Sequence, residues 1–152
     1  MSAIFDKLNL KDQQEIVIMN APESFETELA LLTGVKVLRN DSETKEVSFA
    51  LAFCTTQKEV DAISRAMAKK ARGDAVLWFA YPKGTSKKYP CNFNRDTGWT
   101  VLGKAGFEGV RLVAIDEDWS AMRFRRVEFI ESMTRSKSRA MTRKGKAKTS
   151  KK

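Results

Sequence analysis

A chain of 152 residues and 17.2 kDa with 42% apolar residues is long and apolar enough for one packed domain, which excludes wholesale disorder. It has no histidine and two cysteines, Cys54 and Cys91, which excludes Ser-His-Asp and Cys-His nucleophiles, histidine metal ligands, a disulfide framework and a zinc site. The net charge of +9 sits at the end of the chain: residues 133–152 hold nine basic groups and no acid, and residues 1–132 hold 19 of each sign.

In chain order, the short apolar run 15–20 predicts a buried strand. Pro22 then suits a first helical turn, where its missing N–H would be unpaired anyway, and Phe25, Leu29 and Leu32 follow at helical spacing before Gly34. A short strand over 35–38, a polar loop over 40–46 and a continuous apolar strand over 47–54 come next. Thr56 and Glu59 form a capping box, in which each side chain bonds the other's backbone N–H. The helix they open carries Val60, Ile63 and Met67 on one face, places Lys69, Lys70 and Arg72 at its negative end, and is expected to stop at Gly73. A buried strand over 75–80 and a polar loop over 82–95 lead to a short helix capped by Asp96 or Thr97, running through Trp99 and Leu102 to Gly106. Strands over 110–115 and 119–127 flank the acidic turn Asp116-Glu117-Asp118. The order β-α-β-β-α-β-α-β-β predicts an α/β, Rossmann-like three-layer sandwich with a mainly parallel sheet and an antiparallel C-terminal hairpin.

After Ile130 apolar residues become too sparse for a core-facing stripe, so the domain is expected to occupy 1–132 and to be followed by a basic, disordered tail over 133–152. Its cations are Arg135, Lys137, Arg139, Arg143, Lys144, Lys146, Lys148, Lys151 and Lys152. They suit nucleic acid or another polyanion as partner, bound without sequence specificity; the alternative is a solubilising terminus that meets RNA or DNA incidentally. No run approaches the ~18 apolar residues of a membrane span, and the N-terminus lacks a signal pattern, so a cytoplasmic location and no membrane partner are expected.

Ligands of open parallel sheets collect at the carboxyl ends of the strands. Those ends supply Asn20, Glu23, Lys83, Thr85 and Ser86, joined by Asp116 if its strand runs parallel to the others. This mixture suits an anionic small molecule, or else a hydrogen-bonded loop network that closes the sheet edge. Lys83-Gly84-Thr85-Ser86-Lys87-Lys88 is no Walker A loop, because the glycine and lysine order differs and no helix follows at once. The turn Asn20-Ala21-Pro22-Glu23 lacks the glycines that bring backbone close to a pyrophosphate, and Arg39 stands where an acid would take a ribose hydroxyl. A nicotinamide enzyme is disfavoured, and a methyltransferase of this strand order would lack its glycine-rich turn. The acidic turn reads as a solvated hairpin rather than a cation site, Trp78 and Trp119 as core residues, and Cys54 as an inert buried thiol. No cofactor and no metal are assigned.

Leu8-Asn9-Leu10-Lys11, Met19-Asn20-Ala21-Pro22-Glu23-Ser24-Phe25, Leu77-Trp78-Phe79-Ala80-Tyr81-Pro82-Lys83 and Ala114-Ile115-Asp116-Glu117-Asp118-Trp119-Ser120 stand in succession across the domain. On these segments the chain resembles the bacterial domain-of-unknown-function family 3052. The resemblance implies a Rossmann-like fold and a bacterial cytoplasmic protein, and carries no catalytic residue over. The segment 85–95 and the basic tail depart from it.

Together these features favour a non-enzymatic or regulatory binding domain with a polyanion-binding arm. The alternative is a small-ligand enzyme for a phosphorylated or nucleotide-like substrate, using the carboxyl-end crevice of the sheet.

Overall fold

A computed structural model describes residues 3–93 and 97–130. The candidate cations of the tail, the 132 boundary and the cap candidate Asp96 lie outside the described residues. A short helix α1 (Ala3–Lys7) precedes β1 (Glu15–Met19), α2 (Glu23–Ala30), β2 (Lys36–Leu38) and β3 (Val47–Phe53). Then come α3 (Gln57–Lys70), β4 (Ala71–Pro82), α4 (Thr100–Lys104), β5 (Phe107–Ala114) and β6 (Trp119–Arg126).

The six strands form one sheet in the order β2-β1-β3-β4-β6-β5. β1 to β4 pair in parallel, while β6 runs antiparallel to both of its neighbours. β5 therefore points the same way as β4, and its end at Asp116 lies on the common carboxyl edge. The α/β three-layer arrangement follows from strand alternation. Phe49, Leu51, Trp78 and Ala80 pack with Phe5, Leu8, Phe25 and Leu29 of the α1–α2 layer. Ala50, Ala52, Leu77 and Phe79 pack with Val60, Met67 and Leu102 of the α3–α4 layer. The buried Trp78 indole N–H donates to the Leu8 carbonyl at 2.7 Å, which satisfies it and ties the chain after α1 to the sheet.

The capping box at the start of α3 is present, Thr56 and Glu59 each bonding the other's backbone. Gly73 does not stop that helix. α3 ends at Lys70 and β4 begins at the next residue, with Gly73 inside it at φ +56° where the register against β3 shifts. A left-handed glycine fits a strand irregularity as readily as a helix end, so composition alone did not separate the two. Trp99, with no side-chain cap, precedes α4 instead of Asp96 or Thr97. α1 is a further correction: five residues are too few for local periodicity, and burial of Ile4 and Phe5 holds it. Among the described residues no helix is long and apolar enough to cross a membrane.

Candidate functional site

The chain passes from β1 outward to β2 and returns to the other side of β1 as β3, so the winding reverses between β1 and β3. The connections leaving these strands diverge to opposite faces, α2 on one and α3 on the other, the arrangement at whose carboxyl ends open α/β sheets bind their ligands.

Asn20 stands at the end of β1 with φ +58°, in the left-handed region that glycine favours and asparagine tolerates. This turn carries the chain through extended Pro22 into α2. The exposed Asn20 side chain reaches across the reversal. Its Nδ2 donates to the Phe53 carbonyl at 3.2 Å and to Glu59 Oε2 at 3.4 Å. Glu59 Oε1 in turn accepts from the Thr55 N–H at 2.9 Å, the Thr55 hydroxyl at 3.2 Å and the Thr56 N–H at 3.2 Å. Its better-met oxygen faces the capping turn, and among the described residues the other carries the long bond to Asn20 alone.

Glu59 is the residue missed at this site. It reads locally as a helix cap, yet a capping box that opens directly after a buried strand puts its carboxylate at that strand's carboxyl end. Beneath it lies Cys54, fully buried. Burial above all, then the Glu59 charge and the neighbouring Cys91, push its thiol well above the ordinary value of 9.0.

Residues 83–93 cross the carboxyl edge from one face to the other. The Lys83 N–H donates to the Asp118 carbonyl at 2.8 Å, and the Ser86 hydroxyl donates to Asp118 Oδ1 at 2.9 Å. Tyr89 packs at a tilt on Trp119 with ring centroids 5.0 Å apart, while Phe93 meets Trp99 edge-on at 5.5 Å. Between them the Asn92 N–H bonds the Thr55 carbonyl at 2.7 Å. Asp116 Oδ1 accepts from the N–H groups of Asp118 and Trp119, at 2.8 and 2.9 Å, and so holds the hairpin turn.

The expected site residues thus share one edge but divide into two groups. Asn20 meets Glu59 at the β1–β3 opening, with Glu23 exposed at the start of α2. Lys83, Ser86 and Asp116 belong to the loop network over β4, β6 and β5, and Thr85 is exposed on that loop. Lys83 and Asn20 end strands separated by β3 alone. Arg39, at the end of β2, makes two bonds to the Glu26 carboxylate, both at 2.7 Å, which holds that carboxyl below its ordinary range. Among the described residues no three His, Cys, Asp or Glu side chains gather as metal ligands.

No protein-family model matches the chain, and no curated protein does either. Solved structures match its fold. A SAM dependent methyltransferase from Aquifex aeolicus aligns with a TM-score of 0.54 at 13% identity, over 81% of this chain and 87% of that one. A SAM-dependent methyltransferase from Methanosarcina mazei aligns at 0.51 and 12% identity, over 83% of this chain and 98% of the other. The likeness establishes the fold. It also overturns the expected non-enzymatic or regulatory binding domain, because the structures that share this architecture over nearly their whole length are enzymes. The turn after β1 holds no glycine, and Asn20 takes the left-handed backbone there.

Proposed function

We propose that the chain is a small-ligand enzyme of the methyl-transfer class, with a nucleoside-like ligand seated in the β1–β3 crevice. The observation that carries this reading is the meeting of Asn20 and Glu59 at the reversal point, on a fold it shares with methyltransferases. The opening is rich in acceptors: Glu59 and Glu23 are carboxylates, and Asn20 adds an amide oxygen. S-adenosylmethionine carries ribose hydroxyls, an ammonium and a sulfonium, all of which such oxygens complement. A pyrophosphate fits badly, since Pro22 offers no N–H and Glu23 sets a negative charge at the start of α2. When bound, S-adenosylmethionine supplies an activated methyl group. The chain's own residues hold and orient: Glu59 Oε2 is the acceptor available to a hydroxyl, and Asn20 fixes that carboxylate from across the crevice.

Calorimetric titration of the full chain with S-adenosylmethionine, with ADP as comparator, tests the reading. Binding of the former is expected, with about tenfold weaker affinity in Glu59→Gln, the size of one lost charge-assisted hydrogen bond. Glutamine still completes a capping box, so the melting temperature should hold. Tighter binding of ADP, or undiminished affinity in the variant, would refute it.

A further inference from the structure

A second feature lies on the sheet face of the β5–β6 pair, away from the crevice. Arg111 of β5 stands directly across from Arg123 of β6. Arg125 follows two residues along, on the same face as Arg123. Directly opposed residues of an antiparallel pair have Cα atoms about 4.5–5.5 Å apart, so like charges there repel.

Only part of this charge is met. The Arg125 guanidinium grips Asp74 through two bonds, at 3.0 and 2.7 Å, and the buried Glu108 stands across from it in register. Neither Arg111 nor Arg123 has an acid partner among the described residues. Arg123 is half-buried, and its Nε is shut off from solvent without a hydrogen-bond partner among them. Burial first, then the charges of Arg125 and Arg111, lower its hold on its proton against the pull of Asp74. A shielded guanidinium donor left unmet is costly, and a second like charge on the paired residue raises that cost.

We propose that Arg111 and Arg123 form an oxyanion-binding site for a dianionic phosphate, either inorganic phosphate or a phosphomonoester. Each guanidinium presents a planar fork of donors, and the two forks come from facing strands. A carboxylate has two oxygens and one charge and fills one fork. A terminal phosphate has three free oxygens and nearly two charges, enough to answer both. Three to four residues, roughly 10–13 Å of strand, separate the pair from the carboxyl edge, so the site is distinct from the crevice.

Arginine side-chain NMR on the full chain tests this, following the Nε–H signals as sodium phosphate, sodium acetate, glycerol 3-phosphate or a single-stranded oligonucleotide is added at constant ionic strength. The Arg123 Nε–H signal should shift saturably with phosphate and remain still with acetate. If glycerol 3-phosphate binds more tightly than inorganic phosphate, the source is a phosphomonoester; the reverse order points to the free ion. Arg111→Gln should weaken binding about tenfold or more. Because Arg111 is exposed, this variant decides the matter even if Arg123→Gln fails to fold. Equal affinity in Arg111→Gln, shifts confined to the tail arginines, acetate binding as well as phosphate, or saturation by the oligonucleotide alone would each overturn the proposal.

Discussion

Asn20 holds a backbone conformation and a side-chain position at once, and two substitutions separate them. Asn20→Gly keeps the left-handed turn and removes the bonds to Phe53 and Glu59; Asn20→Ala removes the bonds and adds the strain of a Cβ at φ +58°. Urea unfolding should show alanine less stable than glycine by about 1–2 kcal/mol, and both should bind the crevice ligand more weakly than the native chain. Equal stability of the two would mean the turn relaxes without Asn20. Cys54 makes a second prediction at this scale. Its folded-state thiol titrates far above the ordinary 9.0, so above that pH the unfolded chain releases a proton that the folded chain retains. Stability should be unaffected by this group below pH 9.0 and fall as pH rises past it, by at most about 1.4 kcal/mol per unit. A Cys54→Ala chain whose melts decline just as steeply would assign the loss elsewhere. In the native chain at pH 8, an alkylating reagent should label the half-buried Cys91 and spare Cys54.

Among the elements, α3 shows how a local signal and a site coincide. Thr56→Ala removes the hydroxyl that accepts the Glu59 N–H at 3.2 Å and should cost about 1 kcal/mol, read as a shifted denaturant midpoint at constant slope. It should also loosen Glu59 and with it the crevice, so ligand affinity should fall along with stability, unlike in Glu59→Gln. The capping box was legible because it spans four residues and needs no partner from elsewhere. The hairpin of β5 and β6 was legible as a pair of strands around Asp116-Glu117-Asp118, but its placement was not. β6, last in the sequence, lies between β4 and β5, pairing Leu77 to Pro82 on one side and Phe107 to Ala114 on the other. Inserting the returning strand there lets β5 keep the direction of the parallel strands while every pairing across the gap stays antiparallel.

For the whole molecule, two core layers on opposite faces of one sheet hold the chain together, and the last described core residue is the buried Ile130. We propose that the folding unit ends near residue 132, on the loss of apolar residues beyond it. A chain ending there should melt cooperatively within about 3 °C of the full chain, the shift that ~1 kcal/mol produces at this size. A much larger drop would show that the last twenty residues dock on the domain. The arginine site makes a complementary prediction at this scale: phosphate should raise the melting temperature of the full chain more than sulfate at equal ionic strength, and Arg111→Gln should shrink the difference.

The sequence by itself determined the succession of strands and helices, the two-faced burial of the central strands and the cap of α3. Each is written within a few consecutive residues, as a period, a capping pair or an apolar run, and local physics suffices to read it. It also brought Asn20 and Lys83 to one edge, because parallel strands must end together; Asp116 joined them only once β6 was seen to lie between β4 and β5. Only the tertiary structure decided that Glu59 meets Asn20, that Ser86 bonds Asp118, and that Arg111 faces Arg123. These contacts join residues tens of positions apart in most cases, or depend on a one-residue register and a bulge between Gly109 and Arg111. Sheet pairing sets them, and the energy that selects one pairing over another is spread across both core layers and resides in no local segment.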